Sequence, residues 1–553
     1  MRSGDARGDG ALARKFASHV AALRWGMGAA MNLNRMSKGG RGIATLRAII
    51  AAIIAAAGLG LGVAPSLAST LIIGARVVDG SGAAARAASV RIDGDRIVAV
   101  GDLAAMPADQ VINAKGLVLA PGFIDAHSHH DRGHFSNRAM TPLLAQGVTT
   151  VVVGQDGFGA EPIGEVAAAF AARPTSVNLA SYTGHGHIRD QVMGKNYKRF
   201  ATAQEVALMA ALIDDDMAAG SLGLSTGLEY DPGIYSSPEE VLTLARAAAR
   251  GGGRYISHMR SEDVRFDAAL DELLEIGRKT GMPVQVSHIK LAMVDRWGGA
   301  KAVLARLDEA RAEGIKVTAD VYPYEYWQSN LTVMLPERNF QDLKAARFAL
   351  TQLTTPQGMM IASFAADPAL VGRTIADIAG QRREEPAVTY LSLIRQAEAW
   401  RAAHPDVKDV ESVIATAMAP QDVADFIAWP YAVICSDGLL GSRHPRGVGA
   451  FAKVLRLYVR EQHRLSLETA IRKMTALTAE NLGIVGRGQI RPGDFADLVL
   501  FDPGAITDHA TPLEPQAVAT GVSRVWVNGG LVYDNGRSTE VYAGRFVKRG
   551  GAQ

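Results

Sequence analysis

Through the middle of the chain, short apolar runs alternate with longer Ala-, Leu- and Glu-rich stretches whose apolar positions recur every three to four residues. Runs of the first kind suit strands buried on both faces, and stretches of the second kind suit helices laid against them. The pattern therefore predicts successive parallel βα units. The predicted strands are Gly122–His127, Val148–Gly154, Val177–Thr183, Ser221–Thr226, Arg254–His258, Met282–His288, Ile315–Val321 and Ala432–Asp437. Eight such units within residues 121–486 predict an α/β fold, a TIM-like (β/α)8 barrel whose functional groups sit at the C-terminal ends of the strands. The gap between the last two strands is too long for one helix, so residues from about 324 to 413 are expected to form an inserted subdomain. That insert would be either a lid over the barrel mouth or a surface decoration.

The pattern changes at both ends. Leu71–Val78 alternates, and Val90–Ile92 and Arg96–Val100 flank Asp93-Gly94-Asp95, a hairpin signal. Short strands and turns of the same kind follow Gly493 and fill Val522–Asn528 and Leu531–Tyr533, so residues 69–120 and 487–553 are expected to pair into one small β-sandwich domain. Residues 1–68 have no acidic residue after Asp9 and end in the apolar run Ala48–Val63, preceded by Lys38, Arg41 and Arg47. They read as a signal peptide cut after Ala68, which would make the mature protein exported, periplasmic or secreted. The alternative is a retained anchor, for which the run is short of the ~20 residues a membrane span needs. No later run is long enough to cross a membrane. Met31 or Met36 is an alternative start.

Composition narrows the classes. With 48% hydrophobic and 21% charged residues the chain can bury a large core, which excludes a disordered protein. Its 58 basic and 56 acidic residues, net +2, leave no electrostatic footprint for nucleic acid. Cys435 is the lone cysteine, which excludes an intrachain disulfide framework and a Cys-rich zinc module. Any metal chemistry must then use the 13 histidines and the carboxylates.

Several of those histidines fall at predicted strand ends. His127-Ser-His129 lies on an extended segment, where alternate side chains point to the same side, a geometry suited to one metal ion. Taken alone, the pair is as readily two ordinary polar histidines. Two more strands end in histidine, His258 and His288, and another ends in Ser436-Asp437-Gly438. Metal-capable groups on four strand ends of one barrel are poor core residues, because a buried imidazole or carboxylate without partners is costly. They point to a site. The Thr183-Gly-His-Gly-His187 loop also ends a strand, but it reads equally well as a structural turn and stays outside the ligand set.

With these segments in place, the chain resembles the amidohydrolase superfamily, and within it the D-aminoacylase (N-acyl-D-amino-acid deacylase) branch. The resemblance is carried by Leu119-Ala-Pro-Gly-Phe-Ile-Asp-Ala-His-Ser-His129, Gly147–Gly154, Gly223–Pro232, Ser257-His-Met-Arg260, Val286-Ser-His-Ile-Lys290, Ser436-Asp-Gly438 and His444-Pro-Arg446. It implies a metal-dependent hydrolase of linear amides, with a tight zinc on Asp156, His258 and His288 and a second, weaker site at His127 and His129. One departure stands out: the branch carries Gly-Asn-Cys-Gly after the second strand, where this chain has Gly154-Gln-Asp-Gly157. A carboxylate at position 156 is a competent zinc ligand and can bridge two ions, but it widens the choice to manganese, iron or cobalt. Ser221–Gly227 contains no lysine, which argues against the carbamylated-lysine hydantoinases and dihydroorotases.

The resemblance also implies roles. Asp437 would take a proton from the attacking water and return it to the leaving nitrogen; otherwise its Asp-Gly sequence marks a tight turn. Tyr230, Lys290 and Arg446 would hold the α-carboxylate of a small N-acyl amino acid or short peptide. A metallo-dipeptidase or carboxypeptidase on the same scaffold and a catalytically inactive relative are the alternatives. No feature of the sequence sets an oligomeric state.

Overall fold

Eight parallel strands close into a ring in the computed structural model, which describes residues 69–131, 137–159, 162–335, 337–407 and 409–551. The leader expected at residues 1–68 lies outside the described residues. The first strand, Phe123–Asp125, pairs with Val148–Val153, which pairs with Asn178–Ser181. The third strand breaks at Tyr182 and resumes as Thr183–Gly184 beside Gly223–Gly227. Arg254–His258, Val284–Val286, Val317–Val321 and Ala432–Ile434 follow in sequence order. The eighth strand returns to the first through a parallel bridge between Ser128 and Gly438, with Asp437 N donating to His127 O at 2.8 Å. The residues that seal the ring are thus those flanking the candidate site.

The helices outside the ring form for local reasons and bury one face. Pro238–Arg250 starts at Ser237, whose hydroxyl accepts from Glu240 N, and carries proline in its first turn. It lays Val241, Leu244, Ala245 and Ala248 on the barrel. Ala203–Ala219 starts with a reciprocal cap between Thr202 and Glu205 and ends at Gly220, whose φ of 114° a side chain would resist.

Between the seventh and eighth strands the chain leaves the barrel. Tyr326–Ser329, Met359–Phe364 and Glu411–Thr416 form a three-stranded antiparallel sheet covered by Pro386–Ala403 and neighbouring helices. This insert has its own core, built on Leu350, Ile361, Tyr390, Ile394 and Val413. The two chain ends combine in one nine-stranded sheet, joined where Val118–Pro121 pairs antiparallel with Leu498–Phe501. The sheet folds back on itself, since Ile97 N donates to Asp494 O and Ala496 N to Asp95 O, and it encloses Ile72, Val90, Leu498 and Trp526. Arg545–Val547 leaves the sheet and bonds to Leu179 on the third barrel strand, because that strand's backbone groups there are open to pairing. No helix among the described residues is long and apolar enough to cross a membrane.

Candidate active site

Strand ends bring the six expected metal and acid/base residues together. His127 and His129 leave the first strand, Asp156 the second, His258 the fifth, His288 the sixth and Asp437 the eighth. Three of them take backbone conformations with positive φ, Asp156 at 54°, His288 at 31° and Asp437 at 46°. Non-glycine residues reach that region only where their surroundings enforce it, and such positions concentrate at functional sites. At Asp156 the enforcement is visible. A Cβ on Gly227 would come 2.1 Å from Asp156 O, so a glycine there lets the strand-four backbone press against the turn.

Two sets of donor atoms converge. His127, His129, Asp156 and Asp437 form one, and Asp156, His258 and His288 form the other, with Asp156 common to both. His129 Nε2 lies 3.3 Å from Asp156 Oδ2 and 3.2 Å from Asp437 Oδ1. His127 Nε2 lies 3.5 and 3.6 Å from Oδ1 of the same two carboxylates. In the second set, His288 Nε2 stands 3.4 Å from Asp156 Oδ1 and 3.1 Å from His258 Nδ1. Most of these separations are long for hydrogen bonds, but donors held about 2.1 Å from one tetrahedral ion stand about 3.4 Å apart. Nε2 of His127 and Oδ1 of Asp156 are buried with no hydrogen-bond partner, as expected of atoms shaped to ligate. The donor set fits divalent metal.

Comparison with known proteins agrees. The profile of the amidohydrolase family matches residues 110–429 and 440–533. The chain belongs to that family. Within it the chain stands in the D-aminoacylase branch. It is 34% identical to D-aminoacylase from Alcaligenes xylosoxydans xylosoxydans over 87% of this chain and 97% of the relative. It is 35% identical to N-acyl-D-aspartate deacylase of the same organism, over 88% and 97%. The structure of N-acyl-D-glutamate deacylase from Bordetella bronchiseptica, complexed with zinc and a phosphonate mimic of the tetrahedral intermediate, superposes with a TM-score of 0.76. That match has 32% identity and covers 87% of this chain and 99% of the other.

In this amidohydrolase a ring of carboxylates that sequence reading missed backs the ligands. Asp320, near the end of the seventh strand, accepts from His288 N at 2.7 Å and from Gln285 Nε2 at 2.6 Å, and lies 3.5 Å from His127 Nδ1. Glu262 lies 3.1 Å from His288 Nδ1, and Glu229 lies 2.9 Å from His258 Nε2. His127, His258 and His288 therefore each turn one nitrogen to the shared centre and the other to a carboxylate, with His288 Nδ1 also 2.6 Å from Lys290 Nζ, and these partners fix the ring orientations. Asp125 holds Ser436 by both its backbone N, 2.8 Å, and its hydroxyl, 2.5 Å, and so anchors the strand that presents Asp437. A carboxylate on a barrel strand or four residues past a strand-end histidine was the available signal.

Charge is tightly balanced. Burial disfavours ionisation of Asp437, but Arg446, His288, His129 and His127 outweigh it and hold the carboxyl well below the usual range. Burial likewise opposes Asp156, and His127 and His288 overcome it. Both are anions at neutral pH. Conversely, burial lowers the imidazole pKa of His127, yet Asp156 and Asp320 hold it well above the ordinary value, and that of His288 is pushed up to about 9. So much buried negative charge calls for cations, which a divalent ion provides in place of protons on the histidines.

The three expected carboxylate-binding residues line the same cavity of 990 Å³. Lys290 Nζ bonds both oxygens of Glu262, at 2.7 and 2.8 Å, and Arg446 Nη1 bonds Asp437 Oδ2 at 2.5 Å. Tyr230 sits closer to the ligands, its hydroxyl 3.3 Å from His258 Nδ1. The segment after the third strand, expected as a loop, opens the helix His185–Met193 and takes no part in the ligand set. His185 and Arg189 both bond the buried Glu240, at 2.9 and 2.6 Å.

Proposed function

We propose that this amidohydrolase hydrolyses the amide bond of N-acyl-D-amino acids to a carboxylate and a D-amino acid, with one or two divalent ions, zinc or a harder metal, held by His127, His129, Asp156, His258 and His288. The observation that carries the reading is a single cavity joining an ionised, Arg446-backed Asp437 to two converging ligand sets and to Lys290. A bound ion supplies Lewis acidity, polarising the amide carbonyl and acidifying water. Asp437 takes the proton from water as its oxygen bonds to the carbonyl carbon, and delivers that proton to nitrogen as the C–N bond breaks. Tyr230, a phenol that burial and the surrounding carboxylates Asp156, Glu262, Glu229 and Asp437 keep protonated, donates to the carbonyl oxygen. Lys290 and Arg446, both of which line the cavity, hold the α-carboxylate, Arg446 while also bonded to Asp437 Oδ2. The three relatives named above are deacylases of the D series or are named for that activity, which supports the stereochemical choice.

The test is amine release by the metal-loaded protein from matched N-acetyl-D- and N-acetyl-L-amino acids and from dipeptides. Turnover confined to the D series is expected, and Asp437→Asn should lower kcat by about a thousandfold without lowering metal content. Hydrolysis of L-dipeptides alone would favour a dipeptidase. Residues 1–68 support export as a further part of this reading. N-terminal sequencing of the protein from a periplasmic fraction should begin at Ser69, and a start upstream of the apolar run would overturn it.

A further inference from the structure

Arg446 is the first residue of the helix Arg446–Lys453, and the loop 438–445 that separates it from Asp437 exposes Gly441 and Arg443. An N–H in the first turn of a helix has no partner within that helix. Here the N–H of Arg446 donates to His444 Nδ1 at 3.0 Å, so a side chain two residues back fixes the backbone from which the guanidinium reaches Asp437. The other ring nitrogen of His444 is bonded to the insert. Nε2 lies 2.9 Å from the carbonyl oxygen of Tyr326, in the insert's first strand, Tyr326–Ser329. A carbonyl only accepts and an amide N–H only donates, so these two partners select the neutral ring with its proton on Nε2. Tyr322, Tyr324 and Tyr326 pack around the ring, with centroids 6.1, 5.3 and 4.9 Å away, and Tyr322 also lies beneath the Arg446 guanidinium at 4.9 Å. A second tie runs beside the first: Ser442 Oγ donates to Gln328 Oε1 at 2.5 Å and accepts from His444 N at 3.2 Å.

Resting on the acid/base role given to Asp437 above, we propose that His444 is a positioning residue: it ties the first strand of the insert to Arg446 and, through Arg446, holds Asp437 in the orientation its proton transfers need. The insert then acts on the chemistry as well as enclosing the cavity, and it does so without touching the reacting atoms. One carboxylate must serve water first and the leaving nitrogen second, so its orientation has to survive both steps. Arg446 takes Oδ2 of Asp437, while Oδ1 stands 3.2 Å from His129 Nε2 beside the shared centre. A long arginine side chain carries its backbone position to its tip only where its middle is held too, and Tyr322 holds it. Release of the Arg446 backbone by about 1 Å would move the guanidinium off Oδ2, and misplacement on that scale can cost about a hundredfold in rate.

The test is a double-mutant cycle in kcat on metal-loaded protein, with the wild type, His444→Asn, Arg446→Lys and the double variant. Asparagine keeps an acceptor near the Arg446 N–H but is too short to reach Tyr326 O. His444→Asn is expected to lower kcat by about tenfold or more with metal content unchanged, and by less than about twofold where Arg446 is already lysine, because the loss passes through the guanidinium. A smaller loss in the first background, or a larger one in the second, overturns the proposal. Amide hydrogen exchange of the same proteins reads the tie without substrate. His444→Asn should raise exchange in residues 326–329 and 439–447 and nowhere else; any other pattern, including exchange raised throughout the chain, makes His444 a packing residue and overturns the positioning role. The cycle is run on whichever N-acetyl-D-amino acid or dipeptide the wild type hydrolyses. Turnover of dipeptides alone, with the coupling present, defeats the deacylase reading and leaves the role of His444 standing. Turnover of D-substrates without the coupling defeats that role alone, and turnover of neither defeats both.

Discussion

Asp156 stands with one oxygen toward His127 and His288 and the other toward His129, and it sits in a turn with φ of 54°. It is the residue on which both ligand sets depend. Asp156→Ala should therefore remove metal from both, leaving protein with less than one ion per chain by elemental analysis, whereas Asp156→Cys should retain zinc and shift the preference from manganese toward softer ions. Asp320 acts one shell out. Asp320→Asn keeps its size but weakens its hold on His127 and His288, so metal affinity in a chelator competition should fall about 10- to 100-fold. His444 offers a contrasting test. Its Nε2–H donates to Tyr326 O at 2.9 Å, its Nδ1 accepts from Arg446 N at 3.0 Å, and burial and Arg446 hold its pKa well below the ordinary value. In this neutral form it refuses the proton that the unfolded chain accepts below about pH 6.5, so the unfolded state binds more protons there. Stability should then fall as pH drops from 7 to 5, and His444→Gln should flatten that part of a denaturant-midpoint profile.

At the level of elements, the metal site is mostly an assembly of strand ends, and strand ends were legible. The runs that end in His127, His258, His288 and Asp437 are short and apolar, and a polar residue closing such a run is conspicuous because the barrel interior has no other place for it. The carboxylates behind them were not legible. Asp320 lies inside a strand and Glu262 and Glu229 lie in loops, and which imidazole each one meets depends on neighbouring strands far apart in sequence. The Thr183–His187 segment, expected as a loop, forms the strand Thr183–Gly184 and the start of the helix His185–Met193, which acts as a clamp. His185 and Arg189 grip Glu240, and Arg189 Nη2 also donates to Tyr197 O at 3.1 Å and Tyr235 O at 3.2 Å. Glu240→Ala would leave a buried guanidinium without its counter-charge, and should destabilise the protein by about 3–5 kcal/mol in denaturant unfolding.

For the molecule as a whole, the buried negative charge at the barrel mouth makes metal a structural as well as a chemical component. At free metal about a hundredfold above Kd, binding adds about 2.7 kcal/mol to stability. Chelation should lower Tm and metal readdition should restore it. Cys435, the lone cysteine, is buried and offers no disulfide to compensate.

Periodicity and the residues closing each apolar run determined the (β/α)8 barrel, the position of the insert and the strand-end groups His127, His129, His258, His288 and Asp437, since all of these depend on local spacing and on what can be buried, whereas Asp156 entered only through the family resemblance. The tertiary structure alone decided that the ring closes through Ser128 and Gly438, that Asp156 serves both ligand sets, and that Lys290 and Arg446 are bound to carboxylates. Each of these is a contact between segments distant in the chain, set by strand order and packing, and no local pattern encodes it.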